Sequence, residues 1–253
     1  MDGFDATTYG ERFADVYDEW YGEVSDVAAT VERVAALAAG RPVLELGVGT
    51  GRLAVPLAER GLEVHGIDAS PAMLERLAAK AAAAGVTVHA HQGDFADFDA
   101  AVDGGFGVVF VAFNTLFNLP DADAQRRCLA AVARALRPDG WFALEAFVPG
   151  VPGPQDVLEG GAVTPGKVEV DRVVLQVTIH DTVEQTVVGS FVDITEAGIR
   201  LRPWRIRWAS PDELDAMAGD AGLVRAERWG EWDRRPYDDD CPKHVTLYRP
   251  TGQ

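Results

Sequence analysis

The residues best suited to chemistry lie in one stretch, Val43-Leu44-Glu45-Leu46-Gly47-Val48-Gly49-Thr50-Gly51-Arg52. An apolar run ends in an acidic residue, and three glycines follow at alternate positions. Glycine adopts backbone angles closed to other residues and, lacking a Cβ, lets the main chain lie against a ligand. If the stretch joins a strand to a helix, its backbone N–H groups and the helix N-terminus face that ligand. A dinucleotide fingerprint G-x-G-x-x-G needs its third glycine at 52, where this chain has Arg. Glu45 could meet a cationic or hydroxyl-rich group. Asp68 lies 17 residues beyond Gly51 and ends the next apolar run. A carboxylate there can accept hydrogen bonds from both hydroxyls of a ribose.

The elements that must position these groups follow from hydrophobic patterning. Strands are expected at 42–46, 62–68, 86–91, 106–111 and 141–147, with helices between them, so the pattern is α/β. Val108 to Val111 lies in a near-continuous apolar run, which suits a sheet covered on both faces. Residues just past such a strand lie beside the ligand crevice, which places Phe113, Asn114 and Leu116 there. Ser70-Pro71 and Ser210-Pro211 read as helix starts, with Glu213 completing a capping box. Pairs at 224–232 and 244–249 suit a closing hairpin.

Taken in order, the motifs resemble those of class I S-adenosylmethionine (SAM) dependent methyltransferases. They are the E-x-G-x-G-x-G turn, the strand-end Asp68, the Gly93-Asp94-Phe95 turn, residues 112–119, and Leu136-Arg137-Pro138-Asp139-Gly140-Trp141. The resemblance covers 43–147 well and 210–249 in outline. It implies SAM as cofactor and a Rossmann-like seven-stranded sheet with helices on both faces. It places Ala69 and Met73 against the adenosine, has Asp94 accept from the adenine amino group, and packs Phe95 on the ring. Glu45, Gly47, Gly49, Gly51 and Asp68 complete the cofactor set, with Phe113, Asn114 and Leu116 near the sulfonium. Residues 112–119 resemble the corresponding motif of sugar-amine N-methyltransferases from natural-product pathways, in which a His stands where this chain has Asn118. Asn cannot act as a base near pH 7 but can orient an amine or hydroxyl.

Three segments follow: a lid helix over 1–25, a SAM-binding core over 26–148 and 209–253, and a β-rich cap over 149–208. Tyr9, Phe13, Tyr17 and Trp20 share one helical face. The resemblance implies that this helix closes over cofactor and acceptor, with Tyr9 and Tyr17 in the cofactor set and Tyr9, Tyr17 and Tyr21 able to bring hydroxyls near the methyl group. Pro149 to Gly166 reads as loop, and 167–208 as a three-stranded antiparallel β-meander inserted after strand 5. His180, Trp204 and Trp208 are pocket candidates. For an O-acceptor, His180 and His244 are the candidate bases; for an N-acceptor, Tyr17 and Asn118 could suffice by orientation. His89 and His91 have the spacing of a metal pair, but with no third ligand evident they read as structural, so no metal is expected.

The net charge of −17 repels a phosphate backbone and argues against a nucleic-acid partner. Arg200, Arg202, Arg205 and Arg207 read as a solvated sheet face. No apolar run reaches the ~18 residues a bilayer needs, so no membrane partner is expected. Met1 to Tyr21 is acidic and has no apolar h-region, so it does not read as a signal peptide. Cys128 and Cys241 lack metal-type spacing, and a reducing cytoplasm is the expected location. The expected function is methyl transfer from SAM to an N or O atom of a small molecule in secondary metabolism. The alternatives are a NAD-linked oxidoreductase, a SAM-binding protein without methyl transfer, and a protein methyltransferase. Oligomeric state stays open, a homodimer among the options.

Overall fold

The computed structural model describes residues 1, 3–22, 25–98, 104–151 and 160–252. The helices are α1 (Thr8–Phe13), α2 (Tyr17–Tyr21), α3 (Val27–Ala38), α4 (Ala54–Glu59), α5 (Pro71–Ala84), α6 (Ala122–Ala135) and α7 (Pro211–Asp220). The strands of the larger sheet are β1 (Val43–Leu46), β2 (Val64–Asp68), β3 (His89–Gln92), β4 (Phe106–Val111), β5 (Leu136–Phe147), β10 (Leu223–Trp229) and β11 (Lys243–Pro250). Their order is β10-β11-β5-β4-β1-β2-β3. β1 to β5 run parallel, and β11 is antiparallel to both β5 and β10. The order reverses between β1 and β4, so the ligand crevice of an open α/β sheet falls outside their C-terminal ends.

β1 and β4 are buried along their whole length, as their apolar runs require. α6 and α7 pack with Leu44, Val109 and Phe142 on one face of the sheet. α3 and α4 pack with Val43, Val108 and Phe110 on the other. Ser70 and Ser210 cap α5 and α7 through Met73 N and Glu213 N. The Glu213 side chain does not complete a capping box. It turns instead to the buried Arg207 guanidinium and accepts from Gln185.

The remaining strands, β6 (Gly160–Val168), β7 (Arg172–Asp181), β8 (Thr186–Thr195) and β9 (Gly198–Arg207), form a second, antiparallel sheet. It has four strands, not three. β6 falls in the stretch expected to be loop; residues 152–159 of that stretch lie outside the described ones. β6 is almost wholly exposed, so it carries no alternation of apolar and polar residues to read. A register shift between Pro165 and Lys167 accommodates the proline. β5 also begins earlier than expected, at Leu136, with a register shift opposite Phe106 and Val108. β3 is shorter than expected, starting at His89.

The N-terminal segment is two short helices, not one. Residues 23 and 24 of the expected lid lie outside the described ones. Within the first helix Tyr9 stacks on Phe13 at 4.4 Å between ring centroids, and the break at Ala14–Val16 lets Trp20 of the second meet Phe13 edge-on at 6.2 Å. It also exposes Asp15 to two arginines of β9. Arg202 and Arg207 are therefore buried rather than part of a solvated face, at 2% and 7% exposure. Arg202 donates to Asp15 Oδ1 at 2.6 Å and to the Arg12 carbonyl at 2.5 Å. Arg207 donates to Gln125 and Gln185 and pairs with Glu213. Of the four only Arg200 is exposed, at 63% of its side chain, and it too meets Asp15.

Candidate active site

At the C-terminal ends of β1, β2 and β4 lies a cavity of about 190 Å³. The first-strand turn supplies Gly47 and Gly49, at φ +68° and +53°. A Cβ on Gly47 would stand 2.3 Å from Thr115 Cγ2, so only glycine leaves this cradle open. Asp68 ends β2. Its Oδ2 accepts from Gly49 N at 2.8 Å and its Oδ1 from Ser70 N at 2.9 Å. Each oxygen keeps a lone pair for a further donor. Burial raises the Asp68 carboxyl above its usual range, and the two N–H donors work against that shift.

Ala69 and Met73 line the cavity beyond Asp68, and Asp94 and Phe95 line it from the turn after β3. Asp94 is fixed by accepting from Ala96 N at 2.8 Å. The N-terminal segment covers the cavity with Phe4, Asp5, Ala6, Tyr9, Gly10 and Tyr17. The far wall is Thr115, Asn118, Leu119 and Pro120 from the turn after β4, with Arg205 of β9. The side chains of Tyr17, Asn118 and Arg205 make no hydrogen bond to other described residues. Burial pushes the Tyr17 phenol well above its ordinary value, so it stays protonated at neutral pH.

Thus Tyr9, Tyr17, Gly47, Gly49, Asp68, Ala69, Met73, Asp94, Phe95 and Asn118 share one cavity. Glu45, Gly51, Phe113, Asn114 and Leu116 are not among the residues that line it. Gly51 holds φ +81°, and a Cβ there would stand 3.0 Å from Leu77 Cγ and 3.2 Å from Val55 Cγ2. Leu116 is wholly buried. Phe113 and Asn114 both hold left-handed backbone, at φ +49° and +63°, which is costly without glycine. Buried Glu145 of β5 maintains it: its carboxylate accepts from Phe113 N, and its carbonyl from Asn114 N. Asn114 Oδ1 in turn accepts from Phe147 N at 2.6 Å.

Glu45 is buried with Oε2 unpartnered, which suits an arriving cation or hydroxyl. Burial pushes its carboxyl up to about 8, opposed by Arg52 and reinforced by Asp68. A carboxyl raised from 4.5 in the unfolded chain binds its proton more tightly when folded. Its favourable contribution is complete below pH 4.5 and is lost as pH rises to 8. The ligand-free protein should therefore lose stability over that window relative to Glu45→Gln, with the gap widening by up to about 1.4 kcal/mol per pH unit. Urea midpoints of both proteins at pH 5, 6.5 and 8 check this. Parallel curves would show that Glu45 is already ionised.

His180 and His244 lie elsewhere. His180 sits on β7 outside the cavity lining, with Nδ1 buried and unpartnered. His244 is fully buried in the larger sheet, with Nδ1 2.8 Å from Thr246 Oγ1. Burial, aided by Arg228, brings its imidazole down to about 3, so it is neutral at pH 7. Trp204 packs on Phe191, and Trp208 on the main core. Thr115 and Arg205 escaped the sequence reading. Thr115 lies within the strand-end motif, and Arg205 was grouped with its surface-like neighbours.

A family model described as a methyltransferase domain matches residues 43–140. The CcbJ methyltransferase from Streptomyces caelestis is 42% identical, covering 98% of this chain and 99% of that one, with a TM-score of 0.90. The cypemycin N-terminal methyltransferase from Streptomyces sp is 29% identical over 237 residues, 92% of this chain and 94% of its own. SAM-bound CalS10 from Micromonospora echinaspora, an amino pentose methyltransferase of calicheamicin biosynthesis, shares the fold at 21% identity and a TM-score of 0.63, covering 98% and 99% of the two chains. The chain belongs to the class I SAM-dependent methyltransferases. It is related to methyltransferases of natural-product biosynthesis, and SAM is its methyl donor. No helix among the described residues is long and apolar enough to cross a membrane.

Proposed function

We propose that this enzyme methylates a nitrogen atom of a small natural-product intermediate. The carrying observation is that Tyr17 and Asn118 line the cavity with side chains free to hydrogen-bond. Neither takes up a proton at neutral pH: the phenol is held protonated, and the amide does not titrate. Such groups orient an acceptor without deprotonating it. A neutral amine needs no more, whereas an alcohol needs a base. The full-length cypemycin relative, by its name, acts at an N-terminus.

The donor supplies a methyl group already activated on a sulfonium. The chain must align the nucleophile with it, and proximity alone can contribute several kcal/mol. In this reading Gly47 and Gly49 admit the donor to the main chain, Asp68 takes the ribose, and Asp94 and Phe95 take the adenine. A cavity of about 190 Å³ is below the ~300–1,000 Å³ usual for ligand pockets. The N-terminal segment, from Phe4 to Tyr17, therefore acts as a lid that opens for exchange, and the four-stranded sheet as a cap.

The test is S-adenosylhomocysteine formation with matched amine and alcohol acceptors. The amine should turn over, and kcat/KM should rise with pH along the amine's own pKa. Exchanging it for an amine of different pKa should move the profile equally. Turnover of alcohols alone, with a profile fixed near one enzyme group, would overturn the reading.

A further inference from the structure

None of the five histidines lines the cavity, and three of them lie together at the β3 edge of the large sheet. Parallel pairing sets His65 of β2 opposite His89 of β3 and Ile67 opposite His91, so the imidazoles share one sheet face. Glu63 precedes His65 by two residues and reaches the same face. His65 Nδ1 is 3.2 Å from His91 Nε2, and His65 Nε2 is 3.1 Å from Glu63 Oε1. The His65 ring stacks on His89 at 4.7 Å and on His91 at 5.4 Å between centroids. One donor atom from each of Glu63, His65 and His89 lies within 4.8 Å of the others.

We propose that Glu63, His65 and His89, with His91 beside them, form a binding site for a divalent transition metal of the zinc class. Imidazole nitrogen with one carboxylate oxygen is a donor set that suits zinc, copper and nickel rather than calcium or magnesium. Ligand bonds of ~2.0–2.2 Å in a tetrahedral site place donors roughly 3.4 Å apart. The His65 Nε2–Glu63 Oε1 pair, at 3.1 Å, already meets that spacing, and the His89 donor lies within 4.8 Å of both residues' donors. The remaining closure is a side-chain rotation, open to Glu63 at 57% side-chain exposure and to exposed His89. A protein of net charge −17 draws cations to this edge. Without metal, His65 Nε2–H donates to Glu63 and Nδ1 accepts from His91, an assignment that satisfies both contacts.

β3 is a four-residue edge strand, and among the described residues β2 is its one strand partner. A metal bridging Glu63 and His65 to His89 fastens that strand below Asp68 and Asp94, one at the end of β2 and one just past β3. The site is structural in character, and its occupancy is independent of methyl transfer.

The experiment is calorimetric titration of tag-free protein with zinc chloride in a non-chelating buffer, with melting curves alongside. Cobalt(II) replaces zinc in a parallel titration followed by visible absorption. The expectation is one zinc per chain, a raised Tm, and the intense visible bands of a low-coordinate cobalt site. His89→Ala, at an exposed edge position, should weaken zinc binding at least about tenfold and abolish the Tm rise. His65→Ala should do the same, and His180→Asn, remote from the cluster, should change neither. Absence of stoichiometric zinc binding by the wild type overturns the proposal. So does equal zinc affinity in His89→Ala, or cobalt spectra typical of the hexa-aquo ion.

Discussion

Asp68→Ala should reduce the affinity for S-adenosylhomocysteine by about 10²–10³-fold. The carboxylate sits at the end of β2, and each oxygen is engaged on one side by a backbone N–H, from Gly49 and Ser70. Asp68 lines the cavity, so its remaining lone pairs can accept from a bound ribose. Two hydrogen bonds to a charged acceptor, each at the lower end of ~1.5–3 kcal/mol and so about 3–4 kcal/mol together, give the expected range. Asp68→Asn keeps the shape and loses the charge, so it should fall between. Calorimetry reads the affinity. A melting curve separates it from collapse of the glycine turn, which Asp68 also braces. A folded Asp68→Ala protein that binds within threefold of wild type would remove Asp68 from the cofactor set.

The second large effect is expected from Arg202→Ala. Arg202 is the buried rivet between β9 and the N-terminal segment. It holds Asp15 through two nitrogens at 2.6 and 3.1 Å and the Arg12 carbonyl at 2.5 Å, and its guanidinium lies 5.4 Å from the Trp20 ring centre. Breaking a buried ion pair costs ~3–5 kcal/mol. Asp15 is 40% exposed and can rehydrate, and Asp193 keeps its bidentate partner Arg172, so the lower part, about 2–3 kcal/mol, applies here. The loss should be local. α1 and α2 should become protease-sensitive well before global unfolding, with cofactor affinity falling as Tyr9 and Tyr17 leave the cavity. Arg202→Lys retains the charge but not the fork, and should recover part of it. Unchanged protease resistance at the N-terminus would show that Glu11, which accepts from Ser70 Oγ at 2.7 Å, suffices to dock the segment.

Much of the cofactor half was legible because local sequence determines it. The glycine spacing sets the turn, and apolar runs ending in Glu45 and Asp68 locate strand ends. The serine caps of α5 and α7 fix where those helices start. What escaped depends on distant partners. Arg202 and Arg207 look like any alternating surface arginines until Asp15 and Gln125, 187 and 82 residues away, are brought to them. His65 becomes a neighbour of His89 and His91 only through β2–β3 pairing, so a histidine pair in sequence is a trio in space. β6 offered no period because it buries almost nothing. His180 and His244 were chosen by residue type, and type does not say which face of a sheet a side chain takes. His244 went into the core instead.

The four-stranded sheet leaves the chain after β5 and returns before α7, and it touches the rest mainly through β9 and the N-terminal helices. Its outer strand β6 lies on the surface and carries Pro165 and three glycines, features that blunt an edge against self-association. Such an arrangement makes the cap an evolutionary module. Its outer hairpins can lengthen, shorten or change composition while the glycine turn, Asp68 and Asp94 stay as they are. In the proposed reading, with this sheet as the acceptor cap, homologous enzymes would diverge fastest there, and new acceptor preferences would arise by drift and recombination while the cavity at the glycine turn is kept.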